Sequence, residues 1–159
     1  MKDIQIKINI RLLNENELTD AEKDLVEKAK QATYRSYAPY SNFSVGASLM
    51  LDNGKTITGS NQENCAYPSG LCAERTTMFY ANSRFPDQKI VYLAIAARDT
   101  TGEFTKMPIS PCGACRQVFT EVYHRPKAPF KILLYGTDGT YIIESPLDLM
   151  PISFDSSYL

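Results

Sequence analysis

Hydrophobic residues fall along this chain with two different periods. Ile4, Ile6, Ile8 and Ile10 alternate with Gln5, Lys7 and Asn9, and that period of two predicts a half-buried strand over residues 4–10. Thr19 stands three residues before Glu22, the spacing of a capping box. Leu25, Ala29 and Ala32 then recur at helical spacing, so a helix is expected from there to about Tyr37, ended by Pro39. Phe43 to Leu51 reads as a strand and Lys55 to Ser60 as its return. Between them Asn53-Gly54 supplies the positive φ angles of a tight hairpin. Asn61 to Leu71 is a polar loop carrying Pro68 and Gly70. A second helix is expected from Cys72 to about Asn82. Lys89 to Ala97 is almost continuously apolar, the pattern of a central strand buried on both faces. Thr100 to Gly102 reads as a turn. A third helix should start just after Cys112 and run to about Tyr123. Phe130 to Tyr135 and Thr140 to Ile143 should form two strands around Asp138-Gly139.

Strands alternating with helices predict an α/β layer architecture with a mixed sheet. The 159 residues show no repeat, low-complexity stretch or linker, so one domain over 1–159 is expected. Composition narrows the function class. The net charge is −1, with 17 Lys and Arg against 18 Asp and Glu and no basic stripe, which argues against a nucleic-acid partner. No run approaches the roughly 18 apolar residues of a membrane span. Met1 to Leu13 lacks the continuous apolar core of a secretory leader. A cytoplasmic location is therefore expected. In that compartment metal ligation or catalysis is a better default for the four cysteines than disulfides.

Three of those cysteines stand in two short segments, Leu71-Cys72-Ala73-Glu74-Arg75 and Ser110-Pro111-Cys112-Gly113-Ala114-Cys115-Arg116. Cys112 and Cys115, three apart at a helix start, can place both sulfurs on one face and share a metal. Taken alone, such a pair is equally a redox pair, a zinc half-site or an accident. Cys72 offers a third ligand, and three protein ligands leave one tetrahedral position open, the catalytic pattern. Cys65 reads as a small buried thiol and His124 as a surface or helix C-terminal histidine. Glu74, two residues past Cys72, points to a different side of its helix and can lean over the open position. A carboxylate there can take a proton from water and return it to a substrate nitrogen. On its own, Glu74 is simply a favourable charge at a helix N-terminus.

Together these segments resemble the zinc signature of the cytidine and deoxycytidine deaminases, a Cys-x-Glu followed by Pro-Cys-x-x-Cys. The resemblance runs further, from about Leu18 to Phe154. Tyr40-Ser41-Asn42-Phe43-Ser44-Val45-Gly46-Ala47 is similar to the family's first-strand segment, and Gly59-Ser60-Asn61-Gln62-Glu63-Asn64 to its nucleoside-binding loop. Leu149-Met150-Pro151 with Phe154 resembles its C-terminal ending. Residues 1–17 depart from the family as an extension, with the predicted extra strand. The resemblance implies a three-layer α/β/α sandwich with a mixed central sheet of about five strands, and a homotetramer with shared sites.

It also implies one Zn²⁺ per subunit held by Cys72, Cys112 and Cys115, with Glu74 as the proton carrier. Asn61 and Glu63 would hold the ribose 3′-hydroxyl, and Phe43 would pack on sugar and base. The Ala73 backbone N–H would read the cytosine edge with Glu74. Tyr67 and Phe154 would complete sites in neighbouring subunits. The implied substrate is a free nucleoside, with no nucleic-acid or membrane partner. Zinc with three thiolates carries a net charge of −1, which weakens its acidifying pull on a water ligand. Two helix N-termini and Arg75 are expected to withdraw that charge, with Arg116 as a weaker candidate. Two rival readings are a structural zinc module, which would want four ligands, and a deaminase of a related substrate such as blasticidin S.

Overall fold

The computed structural model describes residues 1–159. Six strands and three α-helices follow the chain: β1 Arg11–Leu13, α1 Asp20–Ala32, β2 Ser44–Leu51, β3 Thr56–Ser60, α2 Ala73–Arg84, β4 Ile90–Arg98, α3 Gly113–His124, β5 Lys131–Gly136 and β6 Gly139–Ile143. The strands form one sheet in the order β1-β6-β5-β4-β2-β3. Only β4 and β5 run parallel, joined through α3; the other neighbours are antiparallel.

The sheet is the middle of three layers. Leu93 and Ile95 of β4 face one way, into a core with Ala73, Met78 and Ala81 of α2 and Cys115, Phe119 and Val122 of α3. Ala94 and Ala96 face the other way, onto Leu25, Val26 and Ala29 of α1. The small residues on the α1 side let that helix lie close. A Cβ on Gly46 would sit 2.2 Å from the Ala29 carbonyl oxygen, so only glycine fits there. The predicted α/β/α sandwich is thus formed, with six strands rather than about five.

Helix α1 starts as its sequence predicts. Thr19 accepts a hydrogen bond from the Glu22 N–H, and the Glu22 carboxylate accepts from the Thr19 N–H, the two halves of a capping box. Its end differs from expectation: the α-helix stops at Ala32 and tightens into a 3₁₀ turn over Thr33–Arg35. There the Thr33 hydroxyl donates to the Lys30 carbonyl, a local bond that competes with α-helical continuation. The hairpin turn holds Gly54 at φ +79°.

The predicted strand over Ile4–Ile10 does not form; the extra strand is β1, at Arg11–Leu13. Its partner sets the limit. The outermost pair is Arg11 with Ile142, β6 ends at Ile143, and Pro146 opens a 3₁₀ turn soon after. Residues 4–10 therefore have no strand of their own chain beside them.

Candidate metal centre and substrate cavity

Two helix starts meet over one edge of the larger core. Cys72 is the N-cap of α2, Cys112 is the N-cap of α3, and Cys115 lies in the first turn of α3. Parallel strand β4 and its crossover through α3 bring these starts together from positions 40 residues apart. The Cys72 and Cys112 sulfurs are 3.7 Å apart and those of Cys112 and Cys115 3.5 Å apart. All three lie within 4.8 Å of one another. Zinc–sulfur bonds of about 2.3 Å in a tetrahedron put sulfurs about 3.8 Å apart. The three thiols therefore fit three corners around one zinc ion. Neither cysteine sulfur caps a backbone N–H of its own helix, which leaves the partly positive N–H ends of both helices beside the sulfurs.

Charge in the trio is uneven. Cys72 is pushed down to about 5, first by the hydrogen bond from the Cys115 thiol, then by those from Arg75 and Cys112. Cys115 is pushed up, chiefly because its proton is held on Cys72. Arg75 Nη2 lies 3.7 Å from the Cys72 sulfur, and its Nε is buried with no partner in the chain. Arg116 points elsewhere: it donates to the carbonyls of Pro111 and Leu149, so it ties the C-terminal turn to α3 and does not serve the sulfurs. Glu74, only 3% exposed, lies in the first turn of α2. Burial pushes its carboxyl up, and the negative charge of Cys72 adds to the effect.

A cavity of about 470 Å³ adjoins this corner, with Tyr40, Asn61, Glu63, Tyr67, Cys72 and Arg75 on its wall. Asn61 accepts from the Val45 N–H and donates to the Phe43 carbonyl, so its amide also fixes the start of β2. Glu63 accepts from the backbone N–H groups of Tyr40 and Ser41 and from the Ser41 hydroxyl. The Ser41 hydroxyl leads in holding its carboxyl below the usual range. Ala73 is fully buried at the first position of α2. Tyr67 is 78% exposed and meets Tyr40 edge-on at 6.2 Å.

The zinc signature at the corner of two helix starts, set on this sheet, agrees with a family comparison. Residues 19–127 match the model of the cytidine and deoxycytidylate deaminase zinc-binding region. The chain belongs to the cytidine deaminase family. It is 38% identical over 130 residues to the cytidine deaminase of Halalkalibacterium halodurans, covering 82% of this chain and 91% of that one. Among solved structures it resembles the cytidine deaminase of Burkholderia pseudomallei, at 37% identity and TM-score 0.71 over 86% of this chain and all of that one. The cytidine deaminase of Mycobacterium tuberculosis is similar at 31% identity and TM-score 0.63, covering 86% and 98%.

Not every residue expected at the site lies there in the single chain. Phe43 sits just before β2 and Phe154 lies out on the tail, 59% exposed and stacked on Tyr158; neither is on the cavity wall. Cys65 is exposed, not buried as its sequence context suggested, because its loop carries it away from the core. His124 closes α3, as read from sequence, and its ring lies 3.5 Å from the Asp155 carboxylate. Sequence reasoning missed Tyr40, Ser41 and Gln62 on the cavity wall. Tyr40 and Ser41 open the motif that contains Phe43, and Gln62 separates Asn61 from Glu63, so the signal was adjacency.

Proposed function

We propose that this chain is a zinc-dependent hydrolase that converts cytidine and 2′-deoxycytidine to uridine and 2′-deoxyuridine, releasing ammonia. One observation carries the reading: three sulfurs within 4.8 Å of one another, two of their pairs at tetrahedral-edge distance, beside a buried carboxyl whose proton affinity is raised. Cys72, Cys112 and Cys115 would hold one Zn²⁺ per subunit. Bound there, zinc supplies Lewis acidity that makes water a nucleophile at neutral pH. Glu74 takes a proton from the water that attacks C4 of the base. It passes that proton to N3 and a second one to the departing amine, so one water enters and one ammonia leaves. The Ala73 N–H and Glu74 orient the base. Arg75 and the two helix starts draw charge from the thiolates. Asn61 and Glu63 address the 3′-hydroxyl, and their bonds to the Phe43–Val45 and Tyr40–Ser41 backbones hold both in fixed orientations for it.

The finer features follow the same reading. Residues 1–159 act as one domain with residues 1–17 as an extension. The reaction serves pyrimidine salvage in the cytoplasm; no helix is long and apolar enough to cross a membrane. The cavity is open, and Tyr67 and Phe154 are exposed beside and beyond it. A homotetramer in which neighbours bring Tyr67 and Phe154 to each site, with Phe43 packing on the sugar and base, would close it. An absorbance assay with cytidine, deoxycytidine, adenosine and blasticidin S, before and after a chelator, tests the proposal. Turnover of the first two, lost on chelation and restored by Zn²⁺, is the expected result. Turnover of blasticidin S alone, or activity indifferent to complete zinc removal, overturns it.

A further inference from the structure

Residues 1–10 carry the side-chain pattern of a strand and have no strand of their own chain to pair with. Ile4, Ile6, Ile8 and Ile10 are between 40% and 83% exposed. They lead directly into β1, which is the end strand of the sheet. One side of β1 is paired with β6; the other carries unpaired backbone groups, a template for another strand. We propose that residues 3–13 pair antiparallel with the same residues of a second copy of this chain, joining the two sheets across a two-fold axis.

The register follows from the sequence. Directly opposite residues of an antiparallel pair share a face, so isoleucine must oppose isoleucine, which requires even positions to face even positions. Centring the pair on Ile8 sets Ile8 against Ile8, Ile10 against Ile6 and Leu12 against Ile4 of the second copy. On the other face Asn9 meets Lys7, Arg11 meets Gln5 and Leu13 meets Asp3, with Asp3 and Lys7 of the second copy on the two diagonals from Arg11. No like charges stand opposite one another. Centring on Lys7 would set Lys7 against Lys7, a destabilising pair. Centring on Ile6 would leave Leu12 and Leu13 of β1 without partners. The Ile8 register also suits the sheet beneath. Leu12 lies opposite Tyr141, whose ring packs on the core under α2 and α3, so the isoleucines extend an apolar face that already exists. An isologous contact of this kind closes on itself at two copies and does not propagate.

The second copy is favoured over a foreign peptide because the segment matches itself in this register, apolar against apolar on one face and with no like charges directly opposite on the other. Cysteine cross-linking of the purified, zinc-loaded, full-length protein tests it, in a Cys65→Ser background that removes the exposed thiol not assigned to the metal. In the proposed register Ile8→Cys places two cysteines directly opposite, within the Cα separation of about 4.4–6.8 Å that a disulfide spans. Lys7→Cys places them about 8 Å apart, two residues out of step. Mild oxidation should give about tenfold more disulfide-linked dimer from Ile8→Cys than from Lys7→Cys, read on a non-reducing gel. Neither site lies in the folded core, so both variants should keep full activity. Equal cross-linking at the two sites, as expected of arms that merely collide, overturns the proposal. So does cross-linking no greater than in the Cys65→Ser parent. The shared-site tetramer is tested separately by sedimentation: a tetramer that fails to cross-link at Ile8 overturns only the arm pairing.

Discussion

Glu22 and Glu74 occupy nearly the same local position and behave in opposite ways. Each lies in the first turn of a helix packed on the sheet, on opposite faces, and each is at most 5% exposed. The N-cap backbones match, Thr19 at φ −67°, ψ 161° and Cys72 at φ −68°, ψ 154°. Burial pushes Glu22 up, but the Lys131 ammonium and the Thr19 N–H and hydroxyl outweigh it and hold its carboxyl below the ordinary range. For Glu74, burial with the negative charge of Cys72 outweighs the donors, its own N–H and the Cys115 thiol, and raises it. One helix start satisfies its carboxylate and becomes a fixture of the fold. The other has no side-chain cap on its backbone; its cap thiol meets Cys112 and Arg75 instead, and thiol and carboxyl become available to a metal and a substrate. Helix starts without local caps therefore mark this site as clearly as its residue types do.

The largest effect expected from this contrast is on turnover. Glu74→Gln keeps the shape of the side chain and removes its capacity to carry protons. Activity should fall by about 10²–10⁴-fold, while zinc content and the thermal midpoint are maintained. A variant retaining more than about a tenth of wild-type kcat would remove Glu74 from the proton path and leave it a buried helix residue like Glu22. Glu22→Gln should behave in the reverse sense, leaving kcat and KM unchanged and lowering stability.

The sequence made some of this legible and not the rest, for physical reasons. Thr19 and Glu22, the turn at Asn53-Gly54, and the apolar run later seen as β4 are governed by local rules, and each formed where read, although in the turn only Gly54 takes a positive φ. The cysteine spacing likewise depends on one helix turn. What failed to show was long-range. The strand pattern at Ile4–Ile10 was real as a pattern, but a strand needs a neighbour, and β6 is too short to supply one. Nothing near Asn61 reveals that its amide clamps Phe43 and Val45, since the partners stand 18 and 16 residues away. The ionic partner of Glu22 is Lys131, 109 residues distant. Satisfaction of a polar group is a tertiary property, so the opposite roles of Glu22 and Glu74 could be told apart only through the resemblance or in three dimensions.

An intermediate effect is expected where an apolar group is left unsatisfied. Phe119 is fully buried and Phe154 is 59% exposed, with its carbonyl held by the Gln117 amide at 2.8 Å. A ring pinned by its backbone yet uncovered by its own chain suits a neighbour's site. Burying such a ring contributes about 1.5–3 kcal/mol, so Phe154→Ala should raise KM by about 10- to 100-fold with a smaller change in kcat. Unchanged kinetics in a variant that remains tetrameric would return Phe154 to the role of a surface residue stacked on Tyr158. Mixing Glu74→Gln with Phe154→Ala subunits should recover activity at low substrate if tails are shared, because some sites then combine an intact Glu74 with an intact tail and regain the wild-type KM.

The smallest effect belongs to the satisfied helix start and appears in stability alone. Thr19→Ala removes the hydroxyl that both accepts from the Glu22 N–H and donates to its carboxylate, and loss of such a cap costs about 1 kcal/mol. Glu22→Gln should cost more, about 1.5–3 kcal/mol, because it removes charge-assisted bonds. Acid separates the two variants from the parent. A carboxyl held below its unfolded value contributes stability that is complete above the unfolded carboxylate range, near pH 4.3 for glutamate, and that is lost as the pH falls through the lower folded value. The Glu22 contribution should therefore be present at neutral pH and fade in acid. Denaturant midpoints measured from neutral pH downward should show the parent losing its advantage over Glu22→Gln until the two curves approach. The Thr19→Ala curve should lie between them, since Lys131 still holds the carboxylate at 2.8 Å. A gap between parent and Glu22→Gln that stays constant through this range would mean that the glutamate acts by packing and not by charge.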